Sequence, residues 1–277
     1  MTASAITLVA DGSSVVVEPE FGGRITSIHL GGREWLQQPA VAIVRAAPFD
    51  AFVRPDMGGW DEMVPTCSAI VDQGIALPDH GEVWSRQWHV VASTPSTVDI
   101  EIECDIVPLR VRRLARLDRG RLRLDYAMSN VGTAPTALFW MAHPLFDATS
   151  LTGVSLRPSG VTLRRTVSSA DEPDSEPRLL PADLPTGGFR KYRADGAVSA
   201  ALLEAHDGTS LSMSWRSPIP IHVQLWVDNA GIGPVPVVAV EPAIAAGDNP
   251  SEARRAGALA ELAPGASLEF SVTLSTA

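Results

Sequence analysis

Arg121-Leu122-Arg123-Leu124-Asp125-Tyr126-Ala127-Met128 decides the fold class. Large apolar side chains occupy every second position, with arginine, aspartate and alanine between them. An extended chain points successive side chains to opposite faces, so this stretch describes a strand with one face in a core and one in water. Asp118-Arg119-Gly120 stands immediately before it and carries turn chemistry. The same period recurs on both sides. Val98, Ile100 and Ile102 alternate with Asp99, Glu101 and Glu103, and Leu211, Met213 and Trp215 alternate with Ser212 and Ser214. Near the end, Leu268, Phe270, Val272 and Leu274 alternate with polar partners. Further turns are marked by Asp11-Gly12, Gly31-Gly32, Asp207-Gly208 and Pro264-Gly265. Many short strands, regular turns and no sustained helical period predict an all-β sandwich. Residues 1–277 are read as a single domain.

Composition narrows the function classes. With 45% hydrophobic residues and a mean hydropathy of +0.10, the chain can bury a sizeable core. A formal charge of −10 argues against nucleic acid as a partner, because phosphate neutralisation needs clustered lysine and arginine. The arginines between Arg110 and Arg123 are interleaved with Leu, Val and Asp and read as the solvated face of a hairpin. An anionic substrate group stays open locally, since overall charge says little about one pocket. The opening MTASAITLVADGSS has neither a basic segment nor a long apolar one, so no secretory leader is expected. No apolar run approaches the ~18 residues of a membrane span. Cys67 and Cys104 lack metal spacing and are read as free thiols of a cytoplasmic protein.

Ser168 to Arg190 is read as a long surface loop. It carries Asp171, Glu172, Pro173, Asp174, Ser175, Glu176 and Pro177, and loops of this length often border binding sites. Arg190 and Lys191, which follow it, are read as a solvated pair, with an anionic substituent as the other reading.

Three stretches depart from simple alternation. The first runs Gly58-Gly59-Trp60-Asp61-Glu62-Met63-Val64-Pro65-Thr66 and continues at Leu77-Pro78-Asp79-His80-Gly81-Glu82-Val83-Trp84-Ser85-Arg86. Sugars are recognised by this mixture, with an aromatic face against C–H groups and planar acids or guanidinium groups on hydroxyls. Trp60, Asp61, Glu62, Asp79, Trp84 and Arg86 are therefore the candidate binding residues. Ordinary loops with two tryptophans plugging the core edge are the bland reading. The second stretch, Leu138-Phe139-Trp140-Met141-Ala142-His143-Pro144-Leu145-Phe146, sets a histidine in an apolar run. Its charged form is costly there, though its ordinary pKa near ~6.5 suits proton transfer. The third, Val237-Val238-Ala239-Val240-Glu241-Pro242, ends an apolar strand on a carboxylate. Burial should raise that group's pKa and make it a useful base, with a salt bridge or turn cap as the alternative.

In this order the stretches resemble the aldose 1-epimerase (galactose mutarotase-like) family. The resemblance rests on His80-Gly81 after a proline-rich loop and on Asn130 leading to His143-Pro144-Leu145-Phe146. It continues with Glu241-Pro242, with the Pro264-Gly265 turn, and with Gly22-Gly23-Arg24-Ile25-Thr26-Ser27-Ile28 as an early hairpin. It spans nearly the whole chain. It implies a β-supersandwich and interconversion of sugar anomers by acid–base ring opening, with no metal and no organic cofactor. Glu241 would take the proton of the anomeric hydroxyl, His143 would protonate the ring oxygen, and His80 would assist beside it. The partner would be a small-molecule sugar, with no nucleic acid and no membrane, and the chain would be a monomer or homodimer. Family members place an arginine about four residues after the HG histidine, whereas Arg86 lies six after His80. The alternatives are a non-catalytic carbohydrate-binding sandwich and a glycoside hydrolase or lyase pairing Asp61 with Glu241.

Overall fold

In the computed structural model, which describes residues 5–169 and 176–276, the alternating stretches are strands. Leu109–Asp118 and Arg121–Asn130 form a hairpin in which Leu117 faces Leu122 and Asp118 faces Arg121. The two residues between them, Arg119 and Gly120, have φ of 47° and 67°. Two consecutive left-handed residues make a tight turn whose twist matches the flanking strands, and glycine adopts that conformation without strain. Asp11-Gly12 and Gly31-Gly32 close their hairpins in the same way.

The strands assemble into two large antiparallel sheets. One has eight strands, running Leu151–Arg157, Ala200–Ala205, Ser210–Arg216, Ser267–Thr276, Arg121–Asn130, Leu109–Asp118, Thr97–Glu103 and His89–Thr94. The other has ten. Its path is Ile6–Ala10, Ser13–Glu18, Arg24–Leu30, Gly59–Met63, Met141–Asp147, Pro236–Ala243, His222–Asn229, Phe189–Asp195 and Thr162–Ser168, with Arg33–Glu34 paired beside Arg24–Leu30. Apolar faces of both sheets meet in one continuous hydrophobic cluster, which includes Ile25, Trp60, Leu124, Tyr126, Val240 and Val272. Burying a side chain of this size contributes about 1.5–3 kcal/mol. The all-β sandwich expected from alternation is the observed architecture. Among the described residues no helix is long and apolar enough to cross a membrane. Both cysteines are free thiols. Asp171, Glu172, Pro173, Asp174 and Ser175 lie outside the described residues.

The three stretches without simple alternation supply central strands of the ten-stranded sheet, while the continuation of the first, from Pro78 to Arg86, is a loop with one short 3₁₀ turn at Val83–Ser85. Gly59–Met63 is buried at every position, and Met141–Asp147 and Pro236–Ala243 are nearly so. A strand covered on both faces has no polar face to show, which removes the period-two signal. Parity still separates its side chains. Trp60, Phe146, Val238 and Val240 enter the core between the sheets, while Asp61, His143, Leu145, Ala239 and Glu241 lie on the opposite, outer face.

One arginine corrects the reading of the hairpin. Arg110, Arg112, Arg116 and Arg123 do stand in solvent on the outer face of the eight-stranded sheet. Arg113 instead points inward, is 1% exposed, and pairs with Glu62 at 2.7 Å. Tyr126 Oη and Trp140 Nε1 also donate to Glu62, at 2.8 and 2.7 Å. The second Arg113 nitrogen donates to the Gly23 carbonyl oxygen, and the guanidinium lies over the Trp88 ring. Burial raises the Glu62 pKa, opposed by Arg113 and by its hydrogen-bond donors. The sandwich core thus contains a charged pair with several of its polar atoms satisfied.

Candidate active site

The outer face of the ten-stranded sheet is laid out by strand register. Asp61 lies opposite His143, and Glu241 lies opposite Gln224, which in turn faces Arg193. The register of Met141 with Ala243 and Leu145 with Ala239 sets His143 beside Glu241. A polar row therefore runs across the sheet as Asp61, His143, Glu241, Gln224 and Arg193. The next row is largely apolar, with Leu145, Ala239 and Trp226 leading to Lys191. Val237 and Asp228 begin a third row. Over this face lies a hollow of about 210 Å³, whose lining includes His80, His143, Glu241, Lys191, Leu145 and Trp226. It is the size of one sugar ring.

His143 Nε2 and Glu241 Oε1 stand 3.5 Å apart at the polar edge of the hollow. His80 reaches the same place from a loop, its ring 5.1 Å from that of His143. Phe52 stacks on His80 at 3.8 Å and meets His143 edge-on at 5.0 Å. Lys191 Nζ donates to Asp248 at 2.8 Å and lies 3.8 Å from Glu241 Oε2 and 3.7 Å from the Cys67 sulfur.

Burial dominates the electrostatics. It pushes the Glu241 carboxyl up to about 7, with Lys191 pulling down and Asp248 pushing up. It holds the His143 imidazole well below its ordinary 6.5, helped by the positive charge of His80, Lys191 and Arg24. The Asp61 carboxyl is also raised by burial, against the pull of Arg24 and His80. Lys191 behaves differently. Burial opposes its charge, yet Cys67, Glu241 and Asp248 together keep its pKa above the ordinary lysine value. Burial raises the Cys67 thiol to about 12, so it stays protonated.

Solved structures with this architecture give the comparison. A protein provisionally named an aldose 1-epimerase from Escherichia coli K12 superposes with a TM-score of 0.72 at 18% identity, over 99% of this chain and 98% of that one. A galactose mutarotase-like protein from Lactobacillus casei matches with a TM-score of 0.72 at 16% identity, over 99% and 100%. A galactose mutarotase related enzyme from Lactobacillus acidophilus matches with a TM-score of 0.70 at 14% identity, over 99% and 97%. The fold is that of the galactose mutarotase-like proteins. No family model and no curated protein sequence matches the chain. At such identities the likeness carries the architecture and leaves the chemistry to the residues themselves.

On this mutarotase-like frame the candidate residues separate into those at the hollow and those elsewhere. His80, His143 and Glu241 converge there. Asp61 shares the His143 face but is 2% exposed, and its Oδ1 accepts from Arg24 Nε at 3.0 Å. It stands two strands from Glu241 with His143 between. Asp79 Oδ1 lies 3.0 Å from His80 Nδ1. Burial alone would raise that carboxyl, but hydrogen bonding with His80 and the nearby imidazole charge hold it below its ordinary value. Trp84 packs edge-on against Phe52 and donates to the Asp79 carbonyl oxygen, so it supports the His80 loop.

Trp60, Glu62 and Arg86 correct the sequence reading. Trp60 and Glu62 are both fully buried and turn into the core between the sheets, away from the hollow. They have the wrong parity for the outer face, which Asp61 of the same strand shares with His143. Arg86 is held by Glu82 at 3.0 Å, Asp105 at 2.9 Å and the Glu103 carbonyl oxygen at 2.8 Å, and is not among the lining residues. Arg190 and Lys191 are also corrected. Neither is solvated: they are 1% and 7% exposed, and Lys191 lines the hollow. Phe52, Asp228 and Trp226 escaped the sequence reading, because none sits in a motif: register brings Trp226 and Asp228 to the site, and a loop brings Phe52.

The His80-Gly81 dipeptide has a backbone reason. His80 and Gly81 both take left-handed φ, 58° and 75°. A Cβ on Gly81 would lie 2.1 Å from the Val64 carbonyl oxygen. Gly81→Ala is therefore expected to lower unfolding stability by about 1–3 kcal/mol and to displace His80. Denaturant titration checks the first, and loss of the Phe52–His80 ring-current shift in NMR checks the second.

Proposed function

We propose that the chain is an aldose 1-epimerase, with His143 and Glu241 as the proton-moving pair. The observation that carries this reading is their 3.5 Å approach at the polar edge of a hollow sized for one pyranose. Glu241 takes the proton from the anomeric hydroxyl as the bond between C1 and the ring oxygen breaks. The electron pair of that bond goes to the ring oxygen, which takes a proton from His143. The resulting aldehyde rotates about C1–C2, and the reverse steps close the ring on either face. His80 donates beside the ring oxygen. Paired acid and base keep both the alkoxide and the oxocarbenium ion from forming fully, and each positioned group typically supplies about 10²- to 10⁴-fold in rate. No metal or organic cofactor enters the scheme.

This chemistry requires one proton on the His143–Glu241 pair. With Glu241 raised to about 7 and His143 depressed, that proton rests mostly on the carboxyl. The form with ionised Glu241 and protonated His143 is its minor tautomer. Both tautomers vanish together when the pair loses its last proton, so they share one pH dependence. kcat/KM is therefore expected to fall as pH rises through about 7, roughly tenfold per unit. It falls again at low pH, once a second proton enters. A rate that instead climbs through pH 7 to a plateau would remove His143 from the role of acid.

Proton NMR of freshly dissolved α-anomers of glucose, galactose and related aldoses, with and without protein, tests the activity itself. Faster equilibration of the H1 signals is expected for at least one sugar. A broad panel in which none equilibrates faster overturns the proposal.

A further inference from the structure

Resting on the epimerase reading, the walls of the hollow say which aldoses it takes. The polar groups there are unevenly distributed. Asp228 brings a carboxylate to the hollow, but both of its oxygens are committed. Oδ1 accepts from the amides of Gly231 at 2.6 Å and Ile232 at 3.3 Å, and Oδ2 from those of Ile232 at 3.1 Å and Gly233 at 3.0 Å. Gln224, next to Glu241 in the polar row, donates to the Gly247 carbonyl oxygen and accepts from Arg193. Lys191 reaches toward Glu241 and Asp248, so its donors serve the anomeric end. Among the described lining residues, Glu241 Oε2 and His143 Nδ1 are buried side-chain atoms without a hydrogen-bond partner, and His80 Nδ1 faces Asp79 Oδ1 at 3.0 Å. All three belong to the proton-moving cluster.

The rest of the lining is apolar. Leu145, Val237 and Trp226 come from the sheet, and Val53, Met57 and Ile232 from the loops above it. A hydroxyl pressed against these side chains exchanges water for no partner, which is the costly way to bury a polar group. We infer that the hollow selects deoxyaldoses, sugars lacking a hydroxyl at carbon 3, 4 or 6, over the parent hexoses. The same walls disfavour a sugar phosphate. The lysine that lines the hollow is already neutralised by Asp248 at 2.8 Å, with Glu241 at 3.8 Å.

The test is anomer exchange by NMR on matched pairs with the full chain. D-glucose is compared with its 3-, 4- and 6-deoxy derivatives, L-mannose with L-rhamnose, L-galactose with L-fucose, and glucose 6-phosphate is included. At least one deoxy sugar is expected to exceed its parent in kcat/KM by about 10- to 100-fold, the range an apolar wall can impose on an added hydroxyl. Glucose 6-phosphate is expected to be the poorest substrate. Exchange in which every accelerated parent equals or beats its deoxy partners, or in which the phosphate is preferred, overturns the inference and leaves the epimerase reading standing. Exchange of none of these sugars overturns both.

Discussion

Glu241→Gln is expected to lower anomer exchange by about 10²- to 10⁴-fold while sugar binding stays measurable. The substitution keeps the shape of the side chain and removes the carboxylate proposed to accept the anomeric proton. It also removes the group whose pKa burial sets near 7, so the residual rate should lose the fall through that pH. Polarimetry gives the rate, and saturation-transfer NMR gives binding. A glutamine variant that keeps most of the activity would show that the carboxylate does not move the proton. His143→Ala should lower the rate by a similar factor, and the double variant should cost far less than the product of the two, because acid and base act as one unit.

The largest stability effect is expected far from the hollow. Glu62→Leu alone, or Arg113→Met alone, should lower the free energy of unfolding by about 3–5 kcal/mol, because each strands its partner as an unpaired buried charge. Both side chains are 0% exposed and 2.7 Å apart. Glu62→Leu also strips the acceptor from Tyr126 and Trp140. The double variant replaces the pair with apolar volume and should recover much of the loss. Denaturant midpoints for the two singles and the double form the cycle. Additive losses would mean that the two groups do not depend on each other.

How far the sequence revealed this arrangement depended on solvent. Where a strand has one wet face, as in Leu109–Asp118 and Arg121–Asn130, alternation names the inward residues and the turn residues name the hairpin. His143 and Glu241 were legible for another reason: a titratable group inside an apolar run is an anomaly that invites a chemical explanation. The tryptophan and glutamate of Trp60-Asp61-Glu62 were misassigned because a strand buried on both sides gives no clue to parity. Lys191 was misread because Phe189–Asp195 carries Arg190, Lys191 and Arg193, a charge density that normally signals water. Glu241, Asp248 and Glu252 pair with Lys191 and Arg193, which lets those two charges sit away from water. Phe52 comes from a segment with no period at all, so nothing local could place it over His80.

Adjacent carboxylates at Asp61 and Glu62 have a mechanical consequence. A slip of Gly59–Met63 by a single residue would exchange them, turning Asp61 inward and away from His143 and Glu62 outward and away from Arg113. Arg113, reaching across from the second sheet, grips only one of the two and so acts as an alignment pin for the strand. The alignment of Asp61 with His143 on the outer face is thus held from the core side.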